Sequence, residues 1–146
     1  MAINTSKVVV GGVVATVVLT VIDFITDKYI LGTRMMAEMN AFKPGFGDAM
    51  SQGNGVYVGI VLNLILGIAL VWTYAAIRPR FGPGPRTAVY TAILLWVVLD
   101  LAYYQFLLVG MMSTGLWWTY AIVGLVNLLI ASQVGAWLYK EEPAPV

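Results

Sequence analysis

The chain has no cysteine and no histidine, and only 10% of its 146 residues are charged. The first two absences exclude disulfides, thiol nucleophiles, Cys or His metal sites and the usual neutral-pH proton shuttle. They also remove the commonest axial ligands for haem and the histidine ligand usual for chlorophyll-type pigments. No cofactor and no metal are therefore expected. The shortage of charge is as informative. A soluble domain carries about 25% charged residues, whereas here no charge occurs between Asp100 and Lys140. With 60% of residues hydrophobic, lipid is the only solvent that suits such a surface. A net charge of +1 gives no field that would draw nucleic acid.

What the sequence does contain is four long apolar runs. Residues 8–31, 55–77, 87–109 and 116–139 each reach the ~20 residues that cross a bilayer core as helix. In lipid only helices and closed barrels satisfy the backbone, and uninterrupted runs of this length are helical. Lys7 before the first run imitates a signal peptide. Asp23 interrupts the run where cleavage would fall, so a retained span is expected. Asn4-Thr5-Ser6 offers helix-capping chemistry before it. Residues 28–54 read as an amphipathic extension and loop outside lipid, with Arg34 and Glu38 spaced to pair on one helical face. The prolines and glycines of residues 78–86 predict a short turn that pairs spans two and three as an antiparallel hairpin. The expected fold is an all-α, up-down-up-down four-helix membrane bundle, one transmembrane domain over residues 1–146.

Lys7, Arg78, Arg80, Arg86 and Lys140 lie on one side; Lys28, Arg34 and Lys43 lie on the other. That bias predicts cytoplasmic termini. Arg78, Arg80 and Arg86 would then meet anionic lipid headgroups. Tryptophans and tyrosines mark both surfaces as interfacial anchors, except Trp96, which falls near mid-depth and suits core packing or contact with a bound pigment or lipid. Methionines crowd the outer side. Without Cys, His or regular spacing they suit flexible packing better than Cu(I). Small residues four apart, Gly11 with Ala15, Gly55 with Gly59 and Ala131 with Gly135, permit close helix contact.

The halves of the chain look alike. Asn63-Leu64-Ile65-Leu66 is echoed by Asn127-Leu128-Leu129-Ile130, and Val21-Ile22-Asp23 by Val98-Leu99-Asp100. A duplicated helical hairpin would explain both. Measured from the charged ends at 1.5 Å per residue, Asp23, Asn63, Asp100 and Asn127 all fall roughly 20–24 Å in. The expectation is one buried polar layer with a member on each helix, since a lipid-facing aspartate at bilayer centre costs about 2.5–3.5 kcal/mol. Thr20 lies close to it and Gln105 about a turn further out. Such a layer serves either as interhelical glue or as a proton or ligand site.

The segment from Trp72 to Ala88, with Arg78-Pro79-Arg80-Phe81-Gly82-Pro83-Gly84-Pro85-Arg86 at its centre, resembles a motif of small uncharacterised bacterial membrane proteins. Those proteins also begin like Asn4-Thr5-Ser6-Lys7 before a Gly-Gly apolar helix. The resemblance implies a bacterial four-span protein and no reaction or catalytic residue. The expected function is a non-catalytic accessory or scaffold subunit of a larger inner-membrane complex, of respiratory or photosynthetic type. Its partners would be membrane lipids and other membrane subunits or further copies of itself, with the tail Glu141–Val146 held down among them. The alternative is a small transporter or channel built around Asp100 with Asn63 and Asn127. A lipid-acting enzyme would need a nucleophile and base in reach of each other, and no such pairing is visible.

Overall fold

A computed structural model describes residues 3–140, and their side chains except at Met50 and Ser51. The tail 141–146, expected to be tied down, lies outside the described residues, as does Met1. Within them the protein is all-α, with four helices long and apolar enough to cross a membrane.

Helix α1 (Thr5–Thr26) starts at Asn4, whose side chain accepts from the Lys7 amide at 3.1 Å. It runs through a π-helical turn, Asp27–Leu31, into α2 (Gly32–Phe42). A Cβ on Gly32 would collide with the Asp27 carbonyl, so glycine is what lets the wider turn close. The chain then reverses at Gly45 (φ 78°) into the short α3 (Phe46–Gln52), whose Gly47 amide donates to Asn40 Oδ1 at 2.8 Å. Helices α4 (Gly55–Phe81), α5 (Pro85–Leu108) and α6 (Thr114–Leu138) complete the fold.

One boundary differs from the sequence reading. Helix α4 continues through Pro79 to Phe81, so the turn is only Gly82-Pro83-Gly84. A proline so near a helix end disturbs few hydrogen bonds, and the Gly82 amide still closes on the Arg78 carbonyl at 2.8 Å. Gly82 (φ 83°) and Gly84 (φ 121°) take backbone angles that other residues avoid. Pro85 then opens α5 at a first-turn position where its missing N–H is harmless. The amphipathic extension continues the first span, as its sequence suggests, through the π turn.

The end carrying Lys7, Arg78, Arg80, Arg86 and Lys140 is called the basic end below, and the end carrying α2 and α3 the cap end. The tightest packing joins α1 to α4 and α6. Gly67 approaches the Gly12 carbonyl so closely that an added Cβ would lie 2.6 Å from it, and a Cβ on Gly12 would lie 2.8 Å from Ile68 Cα. Gly11 meets the Gly135 backbone in the same way. Small residues thus let these backbones touch. Gly59 has nothing within 4 Å of where its Cβ would be, so the Gly55–Gly59 pair makes no such contact there.

Spans two and three form the expected antiparallel hairpin across the short turn, but α4 leans mainly on α1, and α5 mainly on α6. Tyr74 Oη accepts from the Gly84 amide at 3.0 Å, and Phe81 meets Tyr90 edge-on, so contact between α4 and α5 is seen beside the turn. Toward the cap end both helices bare their apolar sides, Tyr57 at 73% and Leu101 at 71% exposure. Core residues Leu19, Leu70, Val71, Tyr74, Ala88, Ala92, Leu128 and Ala131 fill the basic half. A smaller cluster of Leu31, Met112 and Leu116, with Met35 and Trp117 against it, seats α2 on the start of α6. That is where two of the methionines find packing work.

Candidate functional site

Asp23 sits on the α1 face that meets both α4 and α6. Asn63 Nδ2 donates to its Oδ2 at 2.8 Å, and Asn127 Nδ2 donates to its Oδ1 at 2.6 Å. The same Asn63 amide reaches Thr20 Oγ1 at 3.3 Å, and Asn127 reaches the Leu19 carbonyl at 3.3 Å. One carboxylate therefore ties three helices together. Thr16 adds a rung below, its hydroxyl donating to the Gly12 carbonyl at 2.8 Å with the Asn63 carbonyl at 3.1 Å. Asp27 is exposed one turn closer to the cap end.

The fourth expected member of the layer, Asp100, is elsewhere. Counting depth from the charged ends assumed those ends were level, and they are not. Gln133, rather than Lys140, stands beside Pro85, with its Nε2 donating to the Pro85 carbonyl at 3.0 Å. Ser132 Oγ donates to the Ala88 carbonyl at 2.7 Å and Trp96 Nε1 to the Ala121 carbonyl at 2.8 Å, which fixes the register of α5 on α6. Asn127 thus faces the level of Thr91 and Ala92, and Asp100 stands roughly 12 Å further toward the cap end. There Asp100 Oδ2 is buried without a hydrogen-bond partner. Gln105, further along, is exposed. Trp96 is half-buried against the main core, its indole used in the α5–α6 contact.

At the basic end Arg80 and Arg86 are exposed, while Arg78 is half-buried with its guanidinium 5.8 Å from the Tyr139 ring centre. Arg86 Nε donates to Tyr90 Oη at 2.6 Å. Tyr139 in turn meets Tyr74 edge-on, and its hydroxyl accepts from the Asn4 amide at 3.2 Å. Three of the four long apolar helices among the described residues are joined there.

A clasp at the cap end was only half legible. Arg34 and Glu38 pair at 3.3 Å as their spacing suggested. Glu38 also accepts from Ser113, at 2.6 Å from the backbone amide and 2.7 Å from the hydroxyl, and Ser113 caps α6 by accepting from the Leu116 amide at 3.2 Å. A carboxylate at a helix N-terminus is also favoured by the helix dipole. Partial burial opposes ionisation of Glu38, but the Ser113 and Arg34 contacts outweigh it and hold its carboxyl below the ordinary glutamate value. The sequence reading missed Ser113: a serine just before an apolar run is a capping residue type that could have marked the start of α6, whereas its partner 75 residues earlier leaves no local signal.

Among the described residues no three of His, Cys, Asp and Glu gather as metal ligands. A shallow groove of about 400 Å³ lies at the cap end of α4, lined by Asn54, Tyr57, Val58, Val61 and Leu62. No protein-family model, curated protein or solved structure matches the chain.

Proposed function

We propose that the protein is a non-catalytic scaffold or accessory subunit of a larger bacterial inner-membrane assembly, with both termini in the cytoplasm. The observation that carries this reading is how its interior polarity is used. Asp23, Asn63 and Asn127 engage one another across three helices, an arrangement suited to fixing helix register. The form of the bundle agrees. Helix α5 fully buries only Thr87, Ala88, Thr91 and Ala92, and its Ile93, Leu94, Val97, Val98, Leu101 and Leu108 are exposed to lipid or to another chain. The excess of Lys and Arg at the basic end supports cytoplasmic termini, and exposed Arg80 and Arg86 suit anionic headgroups. The resemblance of the turn to small bacterial membrane proteins supports the source. A transport role centred on Asp100 draws less support, because Asp100 stands outside the cluster.

The test is extraction of the native protein from its own membrane in mild detergent, followed by native mass analysis. The reading expects co-purifying membrane subunits or a defined oligomer. Recovery of the isolated chain alone, with in-membrane crosslinking also negative, would overturn it.

A further inference from the structure

Asp23 and Asn127 each have an unmet need. The Asp23 carboxylate accepts from two neutral amides, and among the described residues no lysine or arginine pairs with it. Asn127 is only 4% exposed, and with its Nδ2 committed to Asp23 and Leu19 its Oδ1 has no hydrogen-bond partner. A buried acceptor without a donor and a carboxylate without a counter-charge both cost free energy, more so at membrane depth. Both are hard oxygen ligands.

The geometry lets one ion answer both needs. The amide O and N of Asn127 are about 2.2 Å apart by standard bond lengths. With the 2.6 Å contact from its Nδ2 to Asp23 Oδ1, the Asn127 Oδ1 lies within about 4.8 Å of that carboxylate oxygen. A cation with oxygen contacts of about 2.3–2.6 Å spans such a gap. On the cap side, exposed Asp27 stands one helical turn from half-buried Asp23. A single carboxylate among neutral amides matches a single positive charge.

We propose that Asp23 and the Asn127 side-chain carbonyl bind a monovalent metal cation, which enters past Asp27 and locks α1 to α6. The cluster then becomes a cation-dependent joint as well as a register device.

The test uses the full chain in nanodiscs, melted in sodium, potassium or N-methyl-D-glucamine chloride at equal ionic strength and fixed pH. The wild type should melt higher in a sodium or potassium salt than in the organic salt, with a saturable dependence on the metal ion. Asp23→Asn should abolish that difference. Because Asp23→Asn risks poor folding, Asp27→Asn provides a second reading, and it should raise the half-saturating metal concentration several-fold. Equal melting of the wild type in all three salts would overturn the proposal. So would a metal-dependent shift that survives in Asp23→Asn, or an unchanged half-saturation in Asp27→Asn.

Discussion

Asp23 and Asp100 each sit late in an apolar helix whose hairpin partner carries an asparagine, yet their surroundings are opposite. Asp23 receives amides from α4 and α6, while Asp100 has a buried oxygen with no partner. The difference lies in the helices rather than in the side chains. Helix α1 is wedged between α4 and α6 through Gly11, Gly12, Gly67 and Gly135, so a polar group on its inner face is sure of neighbours. Helix α5 leans mostly on α6, and toward the cap end its Leu101, Tyr103 and Leu108 are exposed. A resemblance in sequence between the halves therefore does not carry over to their hydrogen bonds.

The sharpest way to break this contrast is at the closest backbone approach. Gly67→Ala puts a Cβ 2.6 Å from the Gly12 carbonyl, and it should destabilise the bundle by about 1–3 kcal/mol in reversible unfolding. Gly59→Ala, in open space on the same helix, should be neutral or raise stability by up to ~1 kcal/mol. Next comes the pair of aspartates. Asp23→Ala strands two amide donors and should cost about 1–3 kcal/mol. Asp100→Leu removes a carboxylate that has no partner on its buried oxygen, so the same assay should show no loss, or a gain.

How far the sequence could see is clear from these same residues. Four spans, the cap-end extension and the Arg34–Glu38 pair all follow from local pattern: run length, charge position and four-residue spacing. Asn63 and Asn127 were also visible, since amides deep in apolar helices need partners. Asp100 misled because depth was counted from helix ends. Helix α6 overshoots the start of α5 at the basic end, and nothing local encodes that stagger. The Gly67 contact and the Glu38–Ser113 bonds were hidden for a related reason, since each joins residues far apart in the chain. The proline-rich turn was overread: Pro79 is tolerated in the last turn of α4, where few hydrogen bonds depend on it.

Smaller effects sharpen the picture of the cap end. Because the Glu38 carboxyl is held below its ordinary value, its contribution is present in full above the ordinary glutamate range and is lost as pH falls through the lowered value. Amide exchange at residues 111–116, corrected for the intrinsic pH dependence of exchange, should lose protection on acidification in the wild type. In Glu38→Gln that protection should already be weaker at neutral pH and lack the acid step. Smallest of all, Ser132→Ala removes one α5–α6 bond and should cost about 0.6 kcal/mol.

The most direct measurement is a pair of double-mutant cycles in the same lipid environment, one coupling Asp23 with Asn127 and the other Asp100 with Asn127, using alanine at each site. The first should give a coupling of about 0.6–1.7 kcal/mol, the range of interhelical hydrogen bonds in a membrane. The second should give none. Equal couplings, or a coupling at Asp100 alone, would contradict the claim that Asp23 is the carboxylate holding the bundle in register.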